Sequence, residues 1–174
     1  MVALATVINY IDRNALAVMW PEISEDLGMN KEDYALILSV FMVSYALGQA
    51  VMGKVFDVIG TRLGFVISIV IWSISIGLHA IVRSVSGLAV LRATLGFGEA
   101  GNWPGATKAN AEWFPVNERA LAQGIFNSGA AIGAIVSAPL IAFLYLSFGW
   151  QMTFVLIALL GIVWVVPWVF IYKS

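Results

Sequence analysis

The C-terminal third of the chain constrains the fold most, because it carries no charge over a very long distance. From Ala120 to Tyr172 the sequence contains no Asp, Glu, Lys or Arg. A spanning α-helix needs about 20 apolar residues, so this stretch is too long for one span. We expect it to turn back at Ser147–Trp150, which reads SFGW. The region therefore predicts two consecutive membrane-spanning helices.

The rest of the chain has the composition of an integral membrane protein. Of its 174 residues, 61% are hydrophobic and 11% are charged, whereas soluble domains carry about 25% charged residues. The fold class that this predicts is an all-α membrane protein, a six-transmembrane-helix bundle built as 3+3 repeats. The expected spans are 1–20, 34–56, 63–82, 85–103, 120–146 and 150–172. We expect the first helix to be truncated at its N-terminus.

Composition also excludes several classes of function. The chain has no cysteine and one histidine, so we expect no metal site and no disulfide. Its formal net charge of -1 provides no bulk attraction to nucleic acid. Neither a nucleophile–base pair nor a metal constellation supports a membrane enzyme. We therefore expect no enzymatic activity, no cofactor and no nucleic-acid partner.

The basic residues outside the spans predict the orientation of the chain. One side of the membrane receives the loops after spans two and four and the C-terminal end, with Lys54, Arg62, Lys108, Arg119 and Lys173. The other side receives only Lys31 and Arg83. The positive-inside rule places the richer side, and both ends of the segment, in the cytoplasm. We expect a multi-pass protein of the cell inner (plasma) membrane.

Four ionisable residues lie within the spans: Asp12, Arg13, Arg92 and Glu99. Such a residue costs about 2.5–3.5 kcal/mol at the bilayer centre on insertion scales and indicates a functional site. Arg92 and Glu99 are two helical turns apart on one face. We expect spans one and four to enclose a wet cavity in which Arg13 and Arg92 flank an anion, while Asp12 and Glu99 exchange protons. The alternative is a set of ion pairs that only holds the bundle together.

Four more polar side chains are candidates for substrate contacts: Tyr10, Tyr45, Gln49 and Asn127. Tyr10 precedes Arg13 by three residues, and Gln49 follows Tyr45 by one helical turn on the same face. Each side chain can offer a hydroxyl or an amide to a bound anion. Interfacial anchoring of the tyrosines and helix–helix hydrogen bonds of the amides are the alternatives.

The segment after the second span reads GKVFDVIGTR, with two glycines, an acid and a base in register. Chemistry alone predicts a short cytoplasmic loop in which Asp57 and Arg62 bond across the turn or reach a neighbouring helix end. The pattern G-x-x-x-D-x-x-G-x-R, at Gly53, Asp57, Gly60 and Arg62, resembles the loop motif of the major facilitator superfamily.

Two further segments narrow the resemblance. NYIDRNAL at 9–16 and LRATLGFGEAGNWPGATKANAEWFPVNERA at 91–120 resemble the anion:cation symporter family within that superfamily. The whole chain resembles the N-terminal six-helix half of bacterial hexuronate transporters. The resemblance implies twelve spans in two halves around a central cavity, with the C-terminal half absent here.

The resemblance also implies roles for single residues. The arginines of the first and fourth spans, here Arg13 and Arg92, contact the anionic substrate. Glu99 and Asp12 couple transport to protons. The loop motif bonds to helices of the other half and stabilises the outward-facing state, which predicts that Asp57 lacks its partner in this chain.

The loop EWFPVNER contains Glu118 and Arg119, which predict either a surface pair or a gating salt bridge that alternates between states. Together these features predict one half of a proton-coupled carrier of small organic anions, with hexuronates such as galacturonate and glucuronate as substrates. The expected partners are the anion, protons, the lipid bilayer and the missing C-terminal six-helix half. One alternative is a carrier of another anion, namely an aldonate, an aldarate, phosphate or an amino-acid anion. The others are a channel and an inactive structural fragment.

Overall fold

The computed structural model describes residues 1–172, so Lys173, which the orientation prediction counts, lies outside the described residues. Regular structure within this range consists of α-helices, and the predicted all-helical class is confirmed. The elements are α1 (Val2–Leu27), α2 (Lys31–Ile59), α3 (Thr61–Leu78), α4 (Val85–Glu99), α5 (Asn102–Trp113) and α6 (Arg119–Ile171).

The first two helices are separated by a short, well-defined turn. α1 continues to Leu27, beyond the predicted span, and ends at Gly28, whose φ of 64° is left-handed. The side chain of Asn30 accepts hydrogen bonds from the backbone N–H groups of Glu32 and Asp33, and the Asp33 carboxylate accepts from the Asn30 N–H. This reciprocal capping box fixes the first turn of α2.

Helices α2, α3 and α6 are long and apolar enough to cross a bilayer by length and composition. The polar residues in the middle of α1 lower its hydropathy, and α4 has only 15 residues. The fourth predicted span is therefore shared between α4 and α5, which are separated by Ala100 and Gly101. α6 has 53 residues but bends at Gly149, so it contains two arms, 119–148 and 150–171. Gly149 lies in the segment where the sequence predicts the turn.

The two sharp corners of the bundle have almost the same backbone geometry. Gly60, between α2 and α3, has φ 83° and ψ 163°. Gly149, between the arms of α6, has φ 79° and ψ 165°. Both pairs of angles suit glycine, because glycine lacks the Cβ atom that hinders positive φ. Each corner joins the second and third helix of a set of three, which is the arrangement that 3+3 repeats require.

The helices of the two sets pack against each other. α1 packs on α6, α2 on α4, and α3 on both α4 and α6. The approach of α2 to α4 is very close, because a Cβ at Gly96 would lie 2.7 Å from the carbonyl oxygen of Phe41. Nearby, the Ser44 hydroxyl donates to the carbonyl oxygen of Ala93 across 2.5 Å. This small-residue contact sets the position of α4, which carries half of the charged interior.

Replacement of Gly96 by alanine will destabilise the bundle. The added methyl group meets the backbone of α2, which has no side-chain freedom to move aside, and overpacking of this kind costs about 1–3 kcal/mol. Thermal unfolding of the protein in detergent measures the effect. Gly124→Ala is the matched control, because nothing lies within 4 Å of a Cβ at Gly124. Equal melting temperatures for the two variants would contradict the close contact.

Candidate functional site

An ion pair joins α1 to α4 in the interior. Arg13 donates to one oxygen of Glu99, with Nε at 3.2 Å and Nη2 at 3.0 Å from Oε2. The Glu99 side chain is fully buried, whereas the Arg13 side chain is 25% exposed. Arg13 thus uses one edge of its guanidinium for its carboxylate partner and keeps a quarter of its side-chain surface exposed.

Aromatic rings surround the Arg13 guanidinium on its other sides. Its Cζ lies 4.6 Å from the ring centroid of Tyr45, 5.3 Å from that of Phe41 and 5.4 Å from that of Tyr10. A cation within about 6 Å of a ring is attracted by the ring quadrupole. The structure therefore brings Tyr10 and Tyr45 together with Arg13. The sequence analysis missed Phe41, although its position four residues before Tyr45 places both rings on one face of α2.

Asp12 and Arg92 form a second, more deeply buried charge set. Their exposures are 1% and 2%, and each lies close enough to act electrostatically on the other. Among residues 1–172, both Asp12 carboxylate oxygens and the Nε and Nη2 atoms of Arg92 have no hydrogen-bond partner. Arg13 and Arg92 therefore differ in solvent exposure, because only the Arg13 side chain has appreciable exposed surface.

Three buried polar residues, which the sequence analysis did not select, extend the charged interior. The Asn102 amide donates to the Thr6 hydroxyl across 3.1 Å. Asn9 is fully buried and lies beside Glu99, but without hydrogen-bond geometry, since neither amide atom of Asn9 has a partner in the described range. The spacing of Thr6 and Asn9 on α1, and of Glu99 and Asn102 across the α4–α5 break, would have indicated this shared face.

Gln49 and Asn127 lie apart from the buried charges. Both side chains are exposed, Gln49 on α2 and Asn127 on the first arm of α6. The Asn127 side-chain oxygen accepts from the Gln123 amide across 3.2 Å. They occupy open faces of the bundle.

The segment predicted as a loop after span two is mostly helix, so that prediction is wrong. α2 continues to Ile59, and the turn consists of Gly60 alone. Gly53 lies inside α2, where nothing lies within 4 Å of an added Cβ. Phe56 continues the helix into the bundle, because its buried ring packs edge-on against Phe65 of α3 with centroids 5.4 Å apart, whereas Val58 is 85% exposed.

Asp57 has a partner within this chain, which corrects a second expectation. Its Oδ1 lies 2.9 Å from Nζ of Lys108 on α5, and the same Nζ donates to the Phe56 carbonyl oxygen across 2.8 Å. A cation is stabilised at the negative C-terminal end of a helix, here that of α2. Arg62 does not bond across the turn to Asp57, but donates to the Val169 carbonyl oxygen at the end of α6 across 2.5 Å.

Arg119 bonds to backbone carbonyl groups in this structure rather than to Glu118. It donates from Nε to the Phe114 carbonyl oxygen across 3.0 Å and from Nη2 to the Ala111 carbonyl oxygen across 2.8 Å. These bonds satisfy carbonyl groups at the C-terminal end of α5. The ion pairs found within residues 1–172 are Arg13–Glu99 and Asp57–Lys108, so the expected pair of Glu118 with Arg119 is not formed in this structure.

Comparison with known proteins agrees with this architecture. The chain is 37% identical over 173 residues to a hexuronate transporter of Escherichia coli K12. The aligned region covers 99% of this chain and 40% of that protein. It is 36% identical over 173 residues to a galacturonate transporter of Dickeya chrysanthemi, covering 99% of this chain and 50% of that protein. The chain thus spans about half the length, or less, of these curated relatives.

A solved structure shares the fold. A bacterial homolog to the human lysosomal transporter Spinster, in an inward-facing and occupied conformation, superimposes with a TM-score of 0.86 and 22% identity. The match covers 99% of this chain and 43% of that one. The family model of the Major Facilitator Superfamily matches residues 2–174. This chain therefore belongs to the Major Facilitator Superfamily of multi-pass membrane transporters.

Proposed function

We propose that this chain is the N-terminal half of a proton-coupled carrier that imports small organic anions, with hexuronates as the substrates. The Arg13–Glu99 pair is the observation that carries the proposal, because it places a partly open guanidinium and a buried carboxylate in one contact. The names of two relatives, a hexuronate and a galacturonate transporter, support the substrate class.

The geometry supports a competition between substrate and Glu99 for the same cation. A guanidinium binds a carboxylate through two parallel N–H donors, so a sugar acid can replace Glu99 on Arg13. The displaced Glu99 carboxylate would then be buried without a full counter-charge, a costly state that binding a proton relieves. Anion binding and proton binding thus favour each other.

The remaining charged and polar residues have supporting roles in this proposal. Asp12 is the second protonated carboxylate and Arg92 is its cation, and Arg92 engages the substrate when the interior rearranges. The hydroxyl groups of Tyr10 and Tyr45 beside Arg13 bind sugar hydroxyls. Gln49 and Asn127, on exposed faces, contact the substrate once the second half closes the cavity.

The second half is also needed for alternating access. We propose that a C-terminal six-helix half covers the exposed faces of α2 and the first arm of α6 and rocks against this half around the site. The turn cluster of Gly53, Asp57, Gly60 and Arg62, together with Glu118 and Arg119, is the proposed gate. We place the carrier in the inner membrane, with both ends of this segment in the cytoplasm.

Competition separates the proposal from its main alternative, a carrier of another anion. Uptake of labelled galacturonate by the complete transporter is measured with an excess of unlabelled glucuronate, galactonate, galactarate, phosphate or glutamate. Inhibition by hexuronates alone supports the proposal, and lack of inhibition by any hexuronate overturns the substrate class. Stimulation of uptake by galacturonate on the opposite side distinguishes a carrier from a channel. Absence of all transport by the complete protein would favour a structural role.

Arg13→Gln will weaken substrate binding and therefore lower uptake. The substitution removes the charge and the forked donors, and loss of a buried charge-assisted contact lowers affinity by about tenfold or more. Arg13→Lys will recover part of the binding, because lysine keeps the charge without the planar fork. Arg83→Gln is the control, because Arg83 lies in the turn between α3 and α4, where it contacts the Trp150 ring and donates to the Ala80 and Val82 carbonyl oxygens. Equal uptake by the Arg13 and Arg83 variants would contradict the site.

Glu99→Gln will separate exchange from accumulation. The amide can still accept from Arg13, but it cannot take up a proton, so substrate exchange across the membrane persists while a pH gradient no longer drives net uptake. Counterflow and pH-driven uptake of galacturonate are compared in the same vesicles. Glu25→Gln, at an exposed position near the end of α1, is the matched control. Net accumulation at the unsubstituted rate would exclude Glu99 as the coupling group.

A further inference from the structure

We infer that a hydrated polar path, formed by Asn9, Asn102 and Thr6, runs from Glu99 toward the end of the bundle where α1 begins, and carries the protons that Glu99 exchanges. The inference rests on the proposed proton coupling. It adds a route that lies wholly within this half, between α1 and the α4–α5 segment.

The path is built from the buried polar face shared by these helices. Thr6, Asn9, Glu99 and Asn102 each have 0% exposure. The Asn102–Thr6 hydrogen bond closes one end of the row, and Asn9 stands beside Glu99 at the other. Asn9 is three residues after Thr6, and Asn102 is three residues after Glu99, so the two pairs are in helical register.

The row contains more polar atoms than its own hydrogen bonds can satisfy. Within the described range, both amide atoms of Asn9, Oε1 of Glu99 and Oδ1 of Asn102 have no protein partner. A buried amide without a partner costs several kcal/mol in apolar surroundings, on the order of 2–7 by transfer scales. Buried water that makes about three hydrogen bonds is the usual solution in proteins. These atoms supply both donors and acceptors for such water.

A mostly apolar cavity lies beyond this row, toward the end of the bundle where α1 begins. Its volume is about 430 Å³, and its lining includes Ala3, Ala106, Asn110 and Phe126. Ala3 precedes Thr6 by three residues, and Ala106 follows Asn102 by four, so both lie one helical turn from the Asn102–Thr6 bond. Neither Thr6 nor Asn102 lines the cavity itself, so the proposed path continues from their hydrogen bond to the level of Ala3 and Ala106.

The side chains of Asn9, Asn102 and Thr6 do not change protonation state during the transfer. A proton leaves the Glu99 carboxyl group for water held by Asn9, passes to water held by Asn102 and Thr6, and reaches bulk water through the cavity. The amides and the hydroxyl orient the water. Arg13 then neutralises the Glu99 carboxylate. Asp12 and Arg92 are the other charged groups that act on Glu99 or its neighbours.

Single-cysteine variants test hydration without any assumption about transport, since the chain has no cysteine of its own. Asn9→Cys and Asn102→Cys, in the complete protein in membranes, are treated with a small methanethiosulfonate reagent. Reaction requires a thiolate, which forms only where water has access. Ser73→Cys is the control, because Ser73 is 1% exposed, also lacks a side-chain hydrogen-bond partner among residues 1–172, and faces Gly161 on α6.

We expect the two path variants to react at least about tenfold faster than the Ser73 variant, as a hydrated thiol does relative to one in apolar packing. Equal rates at the three positions overturn the path. This result stands whether or not the protein transports anions.

Asn9→Leu and Asn102→Leu test proton conduction. We expect pH-driven net uptake of galacturonate to fall by about tenfold or more, while counterflow, in which the proton does not have to leave, stays within about twofold. Ser73→Ala will change neither. A parallel loss of both activities indicates a packing defect, and unchanged net uptake indicates another route, so either result overturns the inference. If the unsubstituted protein shows no pH-driven uptake, the proposed function fails together with conduction, while the cysteine rates still decide hydration.

Discussion

The buried contact between Arg13 and Glu99 determines how the interior of this bundle is organised. Removal of two ions from water costs several kcal/mol per ion, and only close geometry with additional hydrogen bonds offsets that cost. Glu99 therefore has to remain beside Arg13 when no other anion is present. The pair links α1 to α4, whereas both Asp12 carboxylate oxygens and both Asn9 amide atoms have no protein partner within the described residues. A scaffold that only required stability would gain more from apolar residues at these positions.

The helices that carry the pair are held by close backbone contacts rather than by charge. Gly96 allows α2 to approach α4, and Gly133 brings α6 against the Val7 backbone of α1, where an added Cβ would lie 2.9 Å from the Val7 carbonyl oxygen. Such contacts have little tolerance for displacement because their atoms are already at van der Waals distance. They position the charged residues, while the charges themselves contribute specificity.

The sequence predicted the helical class and the charged interior because both follow from a few strong terms. A long uncharged stretch excludes a soluble fold, and an ion inside an apolar span requires a partner. The helix boundaries were harder to predict. The end of α2, for example, is contacted by Lys108 of α5, which is distant in the sequence. Phe41, Asn9 and Asn102 were missed because neutral residues in apolar segments do not reveal by type which face they occupy. Spacing shows which of them share a face of one helix, and the fold shows which face of a second helix that one meets.

The two partners of the Asp57–Lys108 contact are unequally exposed, so they are held to the bundle with unequal strength. Asp57 is 75% exposed and Lys108 is 27% exposed, and Lys108 is also bonded to the Phe56 carbonyl oxygen. An exposed ion pair contributes only about 0–1 kcal/mol. The aspartate is therefore free to exchange one cation for another at little expense, whereas the lysine stays attached to its helix end. Loss of the Asp57–Lys108 contact would therefore leave the bond between Lys108 and the end of α2 in place.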